Sequence, residues 1–205
     1  MIANSNLSKK QQTVKNAFIL HGVGLHTGKK VKLIFEPSES NNGIKFIRTD
    51  IAKNNIIQAN WSNVISTNLS TTISNDHGAS VSTIEHLMSA LSGMHIDNAN
   101  ILIDGPEVPI MDGSSLPFVE QLELKGILTQ DDNRKIIIIN KEVSVTNKDS
   151  QATITPNKQF SINFEIEFES HLIKKQACQL QLVNGNYKSD ISSARTFGFE
   201  KDVDY

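Results

Sequence analysis

Ser82-Thr83-Ile84-Glu85-His86-Leu87-Met88-Ser89-Ala90-Leu91-Ser92-Gly93 is the stretch on which the reading of this chain turns. Its spacing predicts a helix over 83–92. Ser82 reads as the N-cap, Glu85 as its capping-box partner at the third helical position, and Gly93 as the stop. Ile84, Leu87, Met88 and Leu91 follow the i, i+3, i+4, i+7 pattern of one apolar face. At about 100° per residue, Glu85 and His86 fall outside that face, on the side of the small residues Ser89 and Ala90, which leaves room for a ligand. A carboxylate beside an imidazole in such a place can bind a metal and activate a water. The plainer alternatives are a capping glutamate and a solvated surface histidine.

Outward from this helix the chain reads as alternating strands and turns. Short β-type runs lie at 31–35, 44–47, 69–73 and 99–103, punctuated by Gly28, Pro37 and Asn41-Asn42-Gly43. A turn-rich segment, 104–115, leads from the last of these into a second helix, capped by Ser115 and ended by Gly126. The polar run Thr129-Gln130-Asp131-Asp132-Asn133 marks a domain boundary. Strands resume at 135–139, 142–146, 152–155, 160–168 and 177–183. In 160–168 apolar and polar residues alternate strictly, so one face is expected to be buried and the other wet. The simplest architecture is two α+β domains, each with strands covered by few helices.

Composition narrows the function. The 205 residues carry 20 basic and 22 acidic side chains, a formal charge of −2, which leaves no electrostatic footprint for nucleic acid or a membrane surface. The one cysteine, Cys178, rules out an internal disulfide and fits a reducing compartment. The N-terminus lacks the apolar core of a signal peptide, and the longest aliphatic run, 136–139, is too short to span a bilayer. A cytoplasmic protein is expected.

Gly22-Val23-Gly24-Leu25-His26-Thr27-Gly28-Lys29-Lys30 suggests a phosphate loop but fails as one. Val23 stands where the first Walker glycine belongs, and Lys30 where Ser or Thr should follow the lysine. Thr27 breaks the dinucleotide fingerprint. A tight turn between strands, with glycines at positive φ, accounts for the rest but not for His26. The six histidines are His21, His26, His77, His86, His95 and His171, and none has His, Asp or Glu four residues on. The helical ligand pair that commonly completes a catalytic zinc site is therefore missing.

Four segments in order resemble the zinc-dependent UDP-3-O-acyl-N-acetylglucosamine deacetylases of lipid A, and hence lipopolysaccharide, biosynthesis. They are Gly22–Gly28, Ser82–Leu87, Pro106-Glu107-Val108-Pro109-Ile110-Met111-Asp112-Gly113-Ser114, and Ser193-Ala194-Arg195-Thr196-Phe197-Gly198-Phe199. The resemblance runs from about residue 13 to the end. It implies two similar layered sheet-and-helix domains (β-α-α-β sandwiches), 13–130 with the Glu-His motif and 134–205 incomplete, and an active site between them. It implies a Zn2+ cofactor with His86 as the first-domain ligand and Glu85 as general base. Thr196 is the implied oxyanion-stabilising hydroxyl. Phe197 and Leu69 are implied to lie near sugar and acyl chain, with His26 in the active-site loop. The implied substrate is UDP-3-O-(3-hydroxyacyl)-N-acetylglucosamine, which loses its N-acetyl group. Neither nucleic acid nor stable membrane insertion is expected, and the full-length protein is expected to be a monomer.

For Asp112 a structural Asx-type turn is the better reading. The family's remaining zinc ligands come from a His-Lys-x-x-Asp helix, and its general acid from a later histidine. Both follow the Arg-Thr-Phe-Gly-Phe segment, and neither is found before Tyr205. The same holds for most of the acyl-chain passage. The expectation is an N-terminal portion, about two-thirds of the enzyme, inactive alone, with the apolar face of its half-built second domain, including Phe160, Ile162 and Phe164, left uncovered and prone to aggregation or partial unfolding. The alternatives are a non-catalytic sugar-nucleotide-binding module of the same fold or, with nothing specific in its favour, a structural protein.

Overall fold

The computed structural model describes residues 9–168, 170, 172–182 and 186–198. By their contacts these sort into two units. One is Lys9–Arg134 joined by the chain from Tyr187 onward, and the other lies within Lys135–Asn186. Residues 187–198, grouped with the second domain on sequence grounds, thus pack with the first unit. Phe199 and His171 lie outside the described residues.

In the first unit the strands are β1 (Lys10–Val14), β2 (Phe18–Val23), β3 (Lys30–Glu36), β4 (Ile44–Arg48), β5 (Ile56–Gln58), β6 (Val64–Ser66), β7 (Thr72–Ser74) and β8 (Ser80–Val81). Helix α1 (Glu85–Gly93), β9 (Ala99–Ile103), α2 (Leu116–Lys125) and β10 (Ile127–Asn133) follow, and the one-turn helix α3 (Tyr187–Asp190) completes the unit. The main sheet has five strands in the order β2-β3-β9-β4-β5. It is antiparallel except where β4 runs parallel to β9. Its register puts Val31, Leu33 and Phe35 on one face with Ile101, Ile103 and Phe46, all buried. Phe18 stacks on Phe35 with ring centroids 4.4 Å apart. Leu87, Ala90 and Leu91 of α1 and Phe118, Val119 and Leu122 of α2 complete this core, and the two helices touch. Alternation on the strands and helical spacing on α1 and α2 bury these side chains together, each large aliphatic contributing about 1.5–3 kcal/mol.

Several sequence expectations are corrected here. Thr129–Asn133 belongs to β10, paired with β1, so the division between the units falls just after this run, between Arg134 and Lys135, and not within it. Its polar side chains are engaged: Asn98 Nδ2 donates to Gln130 Oε1 and to Gln11 Oε1, both at 2.8 Å. At 69–73 only Thr72 and Ile73 are in a strand, because Leu69 takes a left-handed φ of 58°. Residues 135–139 form no strand, and Ile136, Ile137 and Ile138 are exposed. Among the glycines of the 22–28 loop only Gly28 has positive φ, at 62°.

The second unit is built of two hairpins, β11 (Val143–Asn147) with β12 (Ser150–Ile154) and β13 (Ser161–Glu167) with β14 (Lys175–Gln181). The alternating strand is where it was expected, and its apolar face is uncovered, as expected of an incomplete second domain and not buried as alternation alone suggests. Phe164 is 59% exposed and Ile162 38%. No helix among the described residues is long and apolar enough to cross a membrane.

Candidate active site

Helix α1 begins at Glu85, two residues later than its spacing suggests, and no side-chain cap hydrogen bond closes it. The expected capping box fails because both partners are used elsewhere. Ser82 Oγ donates to Pro106 O at 3.0 Å, and Glu85 Oε2 accepts from the Thr71 backbone N–H at 3.0 Å. Glu85 is thus turned toward the segment after Leu69 and away from its own helix end. Glu85 and His86 are both half-buried. Among the described residues neither Glu85 Oε1 nor the His86 imidazole takes a hydrogen bond, so each keeps lone pairs for other work.

The room expected beside Ser89 and Ala90 is filled. Ala90 is fully buried, and Ser89 Oγ meets the Tyr187 hydroxyl at 2.7 Å. The same hydroxyl meets Ser115 Oγ at 2.7 Å, which is why Ser115 does not cap α2 with its side chain. Ser114 does this instead: its Oγ accepts from Leu116 N at 3.2 Å. Gly93 ends α1 as expected, but its first requirement is space, since a Cβ there would strike the Tyr187 ring.

The segment 106–114 joins the other three. Ser82 and Glu107 form a parallel bridge, with Ser82 N donating to Pro106 O at 2.9 Å and Val108 N to Ser82 O at 3.0 Å. Glu107 is buried to 1% exposure. Its Oε1 accepts from His26 N at 2.9 Å and from Thr83 Oγ1 at 3.0 Å, and its Oε2 from Thr27 N at 2.8 Å. Burial pushes this carboxyl up, but the His26 and Thr27 amides and the Thr27 and Thr83 hydroxyls outweigh it and hold it below the usual carboxylate range. At the far end of the segment Gly113 O accepts from Thr196 N at 2.9 Å. Asp112 Oδ1 accepts from Ser114 N at 3.0 Å and Ser114 Oγ at 2.7 Å, the Asx-type turn read from the sequence, and its Oδ2 lies 3.2 Å from Arg195 Nη2. The Ser114 hydroxyl, with Arg195, holds the Asp112 carboxyl low.

The structure therefore brings His26, Glu85–His86 and Thr196 to one segment through backbone and Glu107 contacts. Among the described residues it forms no hydrogen bond between the side chains of those four. Leu69, Thr196 and Phe197 are exposed. Two residues escaped sequence reasoning. Glu107 lies in one of the four segments but has no role that the sequence assigns. Its signal is faint: one carboxylate between Pro106 and Pro109, with apolar Val108 beside it. Tyr187 gives no local signal, because its partners lie 98 and 72 residues away.

Among the described residues no group of three or more His, Cys, Asp or Glu side chains could hold a metal ion. His86 fits one ligand of a metal centre and cannot make one alone.

The family description "UDP-3-O-acyl N-acetylglycosamine deacetylase" matches residues 11–205. A UDP-3-O-acyl-N-acetylglucosamine deacetylase of Syntrophus aciditrophicus is 47% identical over 195 residues, covering 95% of this chain and 62% of the relative. One of Citrifermentans bemidjiense is 45% identical over 194 residues, covering 95% and 63%. One of Myxococcus xanthus is 43% identical over 197 residues, covering 96% and 62%. The chain thus spans a little over three-fifths of the length of these curated relatives. With 195 of its 205 residues matched in order, the chain belongs to the UDP-3-O-acyl N-acetylglycosamine deacetylase (LpxC) family.

Proposed function

We propose that this chain forms the Glu-His side of a zinc-dependent deacetylase acting on UDP-3-O-(3-hydroxyacyl)-N-acetylglucosamine in the cytoplasmic stage of lipid A synthesis. One observation carries the reading: a half-buried Glu85–His86 pair at the start of α1, tied to the His26 loop and to Thr196 through one segment. In the reaction a water oxygen adds to the acetyl carbonyl, the C–N bond breaks, and acetate and the free sugar amine leave. Glu85 takes the proton from that water as general base. Its Oε2 is fixed by the Thr71 amide, which leaves Oε1 to receive the proton. The Thr196 hydroxyl donates to the oxyanion as it forms. Leu69 and Phe197 offer apolar surface to the acyl chain and sugar, and His26 borders the substrate from its loop. Bound zinc, with His86 as one ligand, would supply Lewis acidity toward the carbonyl and acidify the water.

One imidazole does not hold a catalytic zinc, so the isolated 205 residues are expected to show no deacetylation above a Glu85→Ala control. The positive test is a chimera in which the Syntrophus relative supplies the part of its sequence beyond the match. It should deacetylate the substrate, and Glu85→Ala or chelation should abolish the activity. A folded chimera without activity, beside an active parent relative, would overturn the reading.

A further inference from the structure

We infer that Glu107 is a positioning residue: its buried carboxylate fixes the His26 loop and the turn that launches Glu85–His86 in one mutual arrangement. This rests on the reading above that those two elements face one substrate.

The 22–28 loop holds its own shape through Gly24 N donating to Lys29 O at 2.9 Å and Gly28 N to Gly24 O at 3.0 Å. Those bonds are internal and do not say where His26 and Thr27 sit. Ile110 N, donating to Val23 O at 3.0 Å, ties the base of the loop to the 106–114 segment, and Glu107 places its tip by taking both amides. On the other side the same carboxylate takes the Thr83 hydroxyl. Thr83 is a β-branched residue held at φ 56°, two positions before Glu85, a conformation that persists only under external constraint. One carboxylate thus sets both the loop and the strained turn. The fit is close, since a Cβ on Gly24 would collide with Glu107 Oε2 and Thr27 Oγ1. Proline at 106 and 109 stiffens the segment that carries it. The bonds are charge-assisted, and an amide in place of the carboxylate would present a donor to donors.

The test is amide hydrogen exchange with imidazole NMR on the 205-residue chain at neutral pH. Glu107→Gln should speed exchange at His26 and Thr27 by about tenfold or more, the order expected for a lost charged hydrogen bond. It should shift the His26 and His86 ring signals and leave Leu33 and Ile101 protected. A merely stabilising role would move all amides together. Should Glu107→Gln fail to fold, Thr83→Val decides. It should still loosen the His26 and Thr27 amides across the carboxylate, and Thr83→Ser should restore them. His26 and Thr27 amides as protected in Glu107→Gln as in the unaltered chain would overturn the inference, as would a Thr83→Val chain in which neither moves. The chimera assay is independent: its failure removes the catalytic reading and leaves this measurement intact.

Discussion

Strand β3 and strand β13 carry the same kind of pattern, and the molecule treats them differently. In β3, Val31, Leu33 and Phe35 alternate with half-buried or exposed neighbours and are themselves buried, Leu33 and Phe35 completely. In β13, Ile162, Phe164 and Ile166 alternate as cleanly, register opposite Leu180, Cys178 and Gln176, and are open or half-open. The difference is cover. The β3 face shares a core with β9, β4, α1 and α2, whereas the β13–β14 hairpin belongs to a unit with no helix among its described residues. Alternation states which face needs covering. Burial depends on whether another element is there to do it.

The largest effect that would break this comparison is in the cores. Phe46→Ala should cost about 3–5 kcal/mol in the urea unfolding of the first unit. Phe164→Ala should cost under about 1 kcal/mol and should lower dye binding and self-association, since it removes exposed apolar surface. Equal losses at both sites would mean that β13 has a cover not seen here.

Acid should separate the units next. The Glu107 carboxyl is held below its unfolded value of about 4.3, so its stabilisation is fully present above that pH. It is lost as pH falls through the lower, folded value. The first unit should therefore lose stability as the pH falls through that acid range. Glu107→Gln should flatten the pH dependence. Both are read from melts followed by signals of the first unit, and a slope unchanged by Glu107→Gln would refute the assignment.

The smallest effect concerns the return of the chain. Tyr187→Phe keeps the ring against Gly93 and removes the hydroxyl shared by Ser89 and Ser115, at a cost of about 1 kcal/mol. The β13–β14 amides should not respond, and any response there would show coupling between the units.

What was legible from sequence follows the same logic. Strands β3, β4 and β9 and both main helices were readable because their apolar spacing matches their period. β1 and β10 were not, since Gln11, Thr13 and Gln130 are polar and are satisfied by Asn98, Asn41 and Ser38, partners far along the chain. The capping box was locally well formed, and it lost to Pro106 O and the Thr71 amide, which only the folded chain brings near. The candidate site was legible as four segments. That Glu107 joins two of them was not, because its bonds to the His26 loop are to the His26 and Thr27 backbone amides, which leave no trace in side-chain identity, and Thr83 lies 24 residues away.

Tyr187 has a topological consequence. The chain leaves the first unit after Arg134, whose Nη2 donates to His95 O and Asp97 Oδ2 at 2.7 Å each, and rejoins it at Tyr187. Everything between is an excursion pinned at both ends. Closing an excursion of 52 residues (135–186) costs about 3–4 kcal/mol of chain entropy. Burying one tyrosine offsets a cost of that order. Thr196 stands nine residues beyond this knot. Loosen it, and Thr196 is held to the first unit by its own N–H to Gly113 O and by the neighbouring Arg195–Asp112 pair.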